Sequence, residues 1–307
     1  MNTTSNRHPS LWEGLGRLRH PSLYKSLGGL LILFFLLPFC PAGAQTPRCH
    51  YTPQDSITVE KLLATGKTDV LYYARQFLGL PYVGQTLELY PDDERLVLNT
   101  RELDCTTYVD VVVALTICAR RGDTSFRQFA HQLHQQRYWD GKCKGYPTRI
   151  HYFSDWIDDN TRLGYVNEVQ QQNTPFTAVQ TLQVDYMTKH PQQYTALSRH
   201  PEFLSQIAEQ EKSLTGRTYR YIPTKQVRNT EAVRQAVHDG DIIAITSQNG
   251  TGLDIAHLGF AVWHRDGLYL LDASSRHKTV LEEPITMRRY LEGRAKVTGF
   301  RVVRVRE

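Results

Sequence analysis

The chain has 307 residues and a formal charge of +5, yet that excess sits at its start: residues 1–26 carry Arg7, Arg17, Arg19 and Lys25 against Glu13 alone. Setting aside the +3 of that segment leaves +2, which removes the case for nucleic-acid binding that the overall basicity makes. With 40% apolar residues and no internal repeat or low-complexity tract, residues 45–307 are enough for one hydrophobic core and are expected to form a single domain.

In chain order, the basic start gives way to an apolar run from Leu27 to Phe39 and then to Ala42-Gly43-Ala44. A run of about thirteen residues falls short of the roughly twenty needed to cross a bilayer core. The small-x-small triplet matches an export-signal cleavage site. Residues 1–44 are therefore expected to be a signal peptide, cut after Ala44, and the protein to be exported and periplasmic. An acylated Cys40 is the weaker alternative, because Pro38-Phe39 stands where lipoprotein signals carry small residues. An uncleaved membrane anchor is the other.

Two helices are expected at 57–64 and 69–78, the second stopped by Gly79-Leu80-Pro81. An extended stretch from Arg95 to Leu103 leads into Asp104, a good N-cap. A helix follows, in which Val109, Val112, Val113, Thr116 and Ile117 recur at three- and four-residue spacing, with Gly122 as its stop. A further helix is expected at 125–137, then an aromatic, polar segment running to Asn160. Residues 173–215 read as a polar helical insertion or cover. From Gly240 the pattern changes to short strands at 241–247, 256–264, 267–275 and 298–305, with a turn at Arg265-Asp266-Gly267. A helical front half followed by an antiparallel sheet is an α+β arrangement.

Four cysteines remain after the expected cleavage: Cys49, Cys105, Cys118 and Cys143. Cys105 and Cys118 share a helix and stand roughly 20 Å apart at 1.5 Å per residue, beyond disulfide reach. Cys105 follows the N-cap directly, where first-turn amides and the helix dipole favour a thiolate nucleophile. A half-buried structural cysteine is the competing reading.

A thiol nucleophile needs a base, and the base an orienting group. His257 shares one side of its strand with Gly259 and Ala261, while Leu258, Phe260 and Val262 face the other way. The small residues on the histidine side are expected to let the nucleophile's helix end approach. Across a four-residue turn that pairs Trp263 with Leu268, Asp272 falls diagonally opposite His257 on the same face. The order Cys105, His257, Asp272 is that of papain-like hydrolases. No CxxC or HExxH spacing involves these residues, so neither metal nor cofactor is expected.

At this point the sequence resembles the NlpC-type, papain-like cell-wall hydrolases. The matching stretches are LPYVG (80–84), LDCTTYVD (103–110), DGDIIAI (239–245), AHLGFAV (256–262) and LLDASS (270–275), in that order along the chain. PYVGQTLE (81–88) and RIHYFSDWI (149–157) are similar to one branch, the N-acetylmuramoyl-L-alanine amidase-like family. The resemblance implies a fold with the nucleophile at a helix N-terminus packed on an antiparallel sheet. It implies Cys105 as nucleophile, His257 as base, Asp272 at the third position (where members often carry histidine), and Tyr82 with the Cys105 amide as oxyanion donors. Ser274, Ser275, Tyr152 and Trp156 are candidate cleft residues. The implied partners are muropeptides, cleaved between the lactyl group of N-acetylmuramic acid and L-alanine. A γ-D-glutamyl–diamino acid endopeptidase and a silent muropeptide-binding protein are the alternatives.

Overall fold

The computed structural model describes residues 48–306; the expected signal peptide and Cys40 lie outside them. The helices are α1 (Pro53–Leu63), α2 (Val70–Arg75), α3 (Cys105–Arg120), α4 (Phe126–Arg137), α5 (Phe153–Arg162), α6 (Tyr186–Lys189), α7 (Thr195–Arg199), α8 (Leu204–Leu214), α9 (Glu231–Ala236) and α10 (Met287–Glu292). The strands are β1 (Cys49–His50), β2 (Leu96–Val97), β3 (Val166–Val169), β4 (Ala178–Thr181), β5 (Thr218–Pro223), β6 (Ile242–Ser247), β7 (Ile255–Trp263), β8 (Leu268–Ser274), β9 (Thr279–Glu282) and β10 (Val297–Val305).

Eight strands form one sheet in the order β4-β5-β10-β6-β7-β8-β9, with β3 also paired to β10. Every pairing in it is antiparallel. The central strand β6 is buried along its whole length because the sheet is covered on both faces. Ile242 and Ala244 join the core of α1–α5, whereas Ile243 and Ile245 join a second core with α9 and α10. Helices and an antiparallel sheet make the fold class α+β, as the sequence pattern indicates.

Helix α3 is the centre of the first core. Every residue from Thr107 to Cys118 is buried, including positions outside the apolar stripe read from the sequence. Helices on one side and the sheet on the other enclose it, so no flank is left for water. Burying each such Val, Leu or Ile contributes about 1.5–3 kcal/mol.

Three expectations need correction. The range 173–215 opens with strand β4, which pairs with β5 from Ala178↔Tyr221 to Thr181↔Thr218. Only from Tyr186 onward is it helical, as three short helices around a third apolar cluster that includes Met187, Leu197, Ile207 and Leu214. Secondly, the N-terminal end of α3 does reach His257, but the body of the helix does not pack on the side of β7 that His257 shares with small residues. It packs on the opposite side, against Leu258, Phe260 and Val262, with the Tyr108 ring edge-on to Phe260 at 5.4 Å. Gly259 instead serves the pairing of two strands. A Cβ there would lie 2.8 Å from the Leu271 carbonyl oxygen and 2.9 Å from the Asp272 Cβ, so its missing side chain lets β8 close on β7. Thirdly, strands β3, β5 and β9 and helices α9 and α10 were not expected from the sequence pattern.

Among the described residues no helix is long and apolar enough to cross a membrane. No group of three or more His, Cys, Asp or Glu side chains among them is placed to hold a metal ion.

Candidate active site

Cys105 is the first residue of α3, behind an extended N-cap, Asp104. The Thr107 amide donates to the Asp104 carboxylate at 2.8 Å, and the Asp104 amide donates to the Thr107 hydroxyl at 2.9 Å. This capping box fixes the first turn and leaves the Cys105 amide without an intrahelical acceptor. The thiol is half-buried, whereas Cys118 is fully enclosed. Burial pushes the Cys49 thiol up to about 11 and Cys118 up to about 12, and it raises Cys143 as well, so these three stay neutral thiols. None of the four is in a disulfide.

His257 stands near the start of β7, where the strand meets the N-terminus of α3. Its Nε2 is hydrogen-bonded to Asp272 Oδ2, and both side chains are buried. Nδ1 is thereby left clear of Asp272, and Cys105 lies close enough to act on the charge of the ring. Burial opposes charge on the imidazole, but Cys105 and Asp272 outweigh it and push His257 up to about 10. Asp272 Oδ1 is sealed from water with no partner among the described residues.

Tyr82 lies in the loop before β2 and bridges to Leu103, two residues ahead of Cys105. Its backbone is tied to the β8–β9 turn, with the Tyr82 amide donating to the Lys278 carbonyl at 3.0 Å. Burial, with Cys105 and Asp104 adding to it, pushes the Tyr82 phenol up to about 12. The hydroxyl therefore keeps its proton at neutral pH and can donate.

Cys105, His257, Tyr152 and Trp156 line one cleft of about 160 Å³. Pockets for whole drug-sized ligands run to roughly 300–1,000 Å³, so this one holds only the groups flanking a reacting bond. The polar tips of the two aromatic residues point away into fixed partners. Tyr152 donates to Glu211 Oε1 at 2.6 Å and Trp156 Nε1 to Asp110 Oδ1 at 2.9 Å. The cleft therefore receives their ring surfaces.

Ser274 and Ser275 are not brought to it. Ser274 is buried, its hydroxyl donating to Glu283 Oε1 at 3.0 Å, and Ser275 is exposed in the turn to β9. Sequence reasoning missed His151, Met187, Tyr194 and Asp254 as cleft residues. His151 lies inside the quoted RIHYFSDWI stretch and Asp254 three residues before His257, but only the fold brings them to the cleft that Cys105 lines.

The model of the AmiA-like, N-acetylmuramoyl-L-alanine amidase-like, family matches residues 72–297. The chain belongs to this amidase-like family. Among solved structures, an N-acetylmuramoyl-L-alanine amidase from Bacteroides uniformis is 38% identical, with a TM-score of 0.72; the match covers 78% of this chain and 100% of that one. A protein from Bacteroides fragilis described as a putative xylanase is 37% identical with a TM-score of 0.70, over 76% and 100% of the two chains. A Legionella pneumophila protein at 22% identity and a TM-score of 0.65, over 83% and 95%, shares the fold. A comparison with curated proteins finds no match. The amidase-like stretch runs from α2 to the start of β10, and so includes Cys105, His257 and Asp272.

Proposed function

We propose that this chain is an exported, periplasmic cysteine amidase of the NlpC-type, papain-like kind. It cleaves the amide between the lactyl group of N-acetylmuramic acid and L-alanine in muropeptides. The observation that carries the reading is the linked array of Cys105, His257 and Asp272, with the thiol at a helix N-terminus and the carboxylate buried behind the imidazole. The family and the name of the Bacteroides uniformis relative support the choice of bond.

In the first step His257 holds the proton taken from Cys105, and the thiolate attacks the lactyl carbonyl carbon. The carbonyl oxygen becomes an oxyanion that accepts from the Cys105 amide and the Tyr82 hydroxyl. Protonated His257 then gives its proton to the nitrogen, the C–N bond breaks, and the peptide leaves as an amine. A thioester remains on Cys105. In the second step neutral His257 takes a proton from water, the hydroxide attacks the thioester, and the muramyl carboxylate departs as the thiolate returns. Asp272 keeps the imidazole oriented and stabilises its charged form throughout.

The test is mass spectrometry of muramyl tripeptide incubated with the mature protein and with Cys105→Ala. Free muramic sugar and intact tripeptide from wild type alone support the reading. Muramyl dipeptide plus a diamino acid would move the cut to the γ-D-glutamyl bond, and cleavage by Cys105→Ala would remove the nucleophile.

A further inference from the structure

Two buried polar atoms behind His257 have no partner among the described residues. One is Asp272 Oδ1, the carboxylate oxygen that the imidazole does not use, and the other is the hydroxyl of Tyr290 on α10. Asp272 is fully enclosed and Tyr290 is 4% exposed. A buried donor and a buried acceptor are each costly to leave unmet, and folded proteins hold few of them.

The fold puts both on one side of the sheet. Along β8, Leu271 and Ala273 belong to the core around α3, whereas Leu270 belongs to the second core, with Met287, Tyr290 and Leu291 of α10. Strand alternation therefore turns Asp272 towards α10, and α10 packs on β8. The Arg294 guanidinium lies over the Tyr290 ring, 4.0 Å from its centroid. Burial pushes the Tyr290 phenol well above its ordinary range, so the hydroxyl keeps its hydrogen and can only gain by donating it.

The charged or titratable groups that act on this phenol are Asp272, Arg294, Glu283 and Cys105, with Asp272 the strongest. Arginine has no acceptor, and a thiol sulfur is a weak one. Glu283 is engaged at both oxygens, accepting the Ser274 hydroxyl at 3.0 Å and facing His277 Nε2 at 3.4 Å. Asp272 acts on a second phenol, Tyr108, but that hydroxyl already donates to the Ala74 carbonyl at 3.0 Å. Tyr290 and Asp272 Oδ1 are what remain for each other.

We infer that Tyr290 is a positioning residue whose hydroxyl supplies the hydrogen for Asp272 Oδ1, so that the carboxylate is held at both oxygens and presents Oδ2 to His257 in one orientation. This rests on the reading that Cys105, His257 and Asp272 carry the reaction. No hydrogen bond joins the two groups in this structure. A short closing movement, or one enclosed water between them, completes the link, and in either form the hydrogen is the phenol's. Tyr290 does not line the cleft, so it acts on the reaction through Asp272 and not on substrate.

The experiment measures kcat, KM and melting temperature on muramyl tripeptide for wild type, Tyr290→Phe, Asp272→Ala and the double variant. Tyr290→Phe deletes one oxygen and no carbon, so the core keeps its volume. It should lower kcat about tenfold with KM unchanged, the worth of one hydrogen bond to a charged group. In the Asp272→Ala background the same substitution should change kcat less than twofold, because its route to His257 is gone. The proton resonance of His257 Nε2–H should also shift in Tyr290→Phe, a readout that needs no second variant. An unchanged kcat, or an unmoved resonance, overturns the inference. So does an equal loss of kcat in both backgrounds, which would make Tyr290 a packing residue of α10. Each of those outcomes leaves the amidase reading standing. Full activity in Asp272→Ala overturns the reading of the triad itself, and the role of Tyr290 falls with it.

Discussion

Asp272 meets His257 diagonally across β7 and β8 because the two strands are registered at their far end, where Trp263 faces Leu268 across a four-residue turn. From that anchor the pairing runs through Val262↔Tyr269 and Ala261↔Leu270 to Phe260↔Leu271, which puts Asp272 and His257 on one face of the sheet. A turn one residue shorter or longer would swing the carboxylate to the other face. The orientation of the imidazole is thus set by a turn several residues away along each strand.

Replacing Asp272 with Asn should lower kcat on the order of 10²–10⁴-fold, because the amide neither carries the compensating charge nor fixes the tautomer. The pH dependence follows from the direction of the His257 shift. The ring's pKa is raised from 6.5 to about 10 in the folded protein. Its contribution to stability is therefore fully present below about 6.5 and is lost as pH rises towards 10. In the proposed mechanism, the proton it gives to the leaving amine is lost over the same rise. Wild-type kcat/KM should fall through an alkaline limb near 10, and in Asp272→Asn that limb should move to lower pH. A pH profile from 6 to 11 reads it. An alkaline limb that stays in place would show that Asp272 does not raise the imidazole.

Gly259→Ala should impair both stability and turnover. The added Cβ would lie 2.7 Å from Leu270 Cδ1, 2.8 Å from the Leu271 carbonyl oxygen and 2.9 Å from the Asp272 Cβ. The carbonyl and the Cβ cannot yield without moving β8. Overpacking of this kind costs about 1–3 kcal/mol, and the displaced group is the partner of His257. Thermal unfolding and kcat should fall together. A variant as active and as stable as wild type would mean that β8 can shift freely behind the histidine.

The sequence makes the setting of Cys105 legible because an N-cap and its helix are local: Asp104, Cys105 and Thr107 sit within one turn. The β7–β8 register is legible for the same reason, since a short turn carries it. What escaped were features set by distant parts of the chain. The face on which α3 docks depends on how Tyr108 and Phe260 fill a shared core, and alternation along β7 cannot say which face that is. Strand β4 hides in a polar stretch because the sheet edge it joins is half exposed. The aim of Asp254 comes from Ser154, a hundred residues earlier, and from Gln180, and neither leaves a mark near Asp254 itself. Ser274 sits on the same face as Asp272, but Glu283, from the loop after β9, has already taken its hydroxyl.

Glu211 on α8 ties the helical cover to the cleft. Its Oε1 accepts from the Tyr152 hydroxyl at 2.6 Å, the Met187 amide at 2.9 Å and the Thr188 amide at 3.1 Å, while Oε2 accepts the Thr188 hydroxyl at 2.5 Å. Met187 and Tyr152 are both cleft residues. Glu211→Ala leaves the Tyr152 hydroxyl and the Thr188 amide unpaired, while the Met187 amide keeps the Tyr152 oxygen and the Thr188 hydroxyl keeps the Asp185 carbonyl, each at 3.2 Å. At about 1–3 kcal/mol for each buried group left unsatisfied, the loss should loosen the wall they form. KM should rise several-fold with a smaller change in kcat, and residues around 186–199 should become more open to limited proteolysis. Equal loss in kcat with KM unchanged would place Glu211 in the chemistry instead of the wall.

Asp110, one and a half turns after Cys105 on α3, joins that helix to two other elements. Its carboxylate accepts from Arg137 Nε on α4 and from Trp156 Nε1 on α5, each at 2.9 Å, and Arg137 also donates to the Val97 carbonyl at 2.5 Å. The side chains of the ion pair are only 4% and 2% exposed. Asp110→Ala leaves the Arg137 guanidinium buried without its counter-charge, a loss of roughly 3–5 kcal/mol. At about 2–4 °C per kcal/mol for a domain of this size, the melting temperature should fall by roughly 10 °C. Asp110→Asn still offers Trp156 an acceptor and should restore part of the cleft's affinity without restoring the full melting temperature, since only the charge is missing. A melting temperature within a degree or two of wild type in the alanine variant would mean that water reaches Arg137, and that the wall carrying Trp156 is held by packing alone.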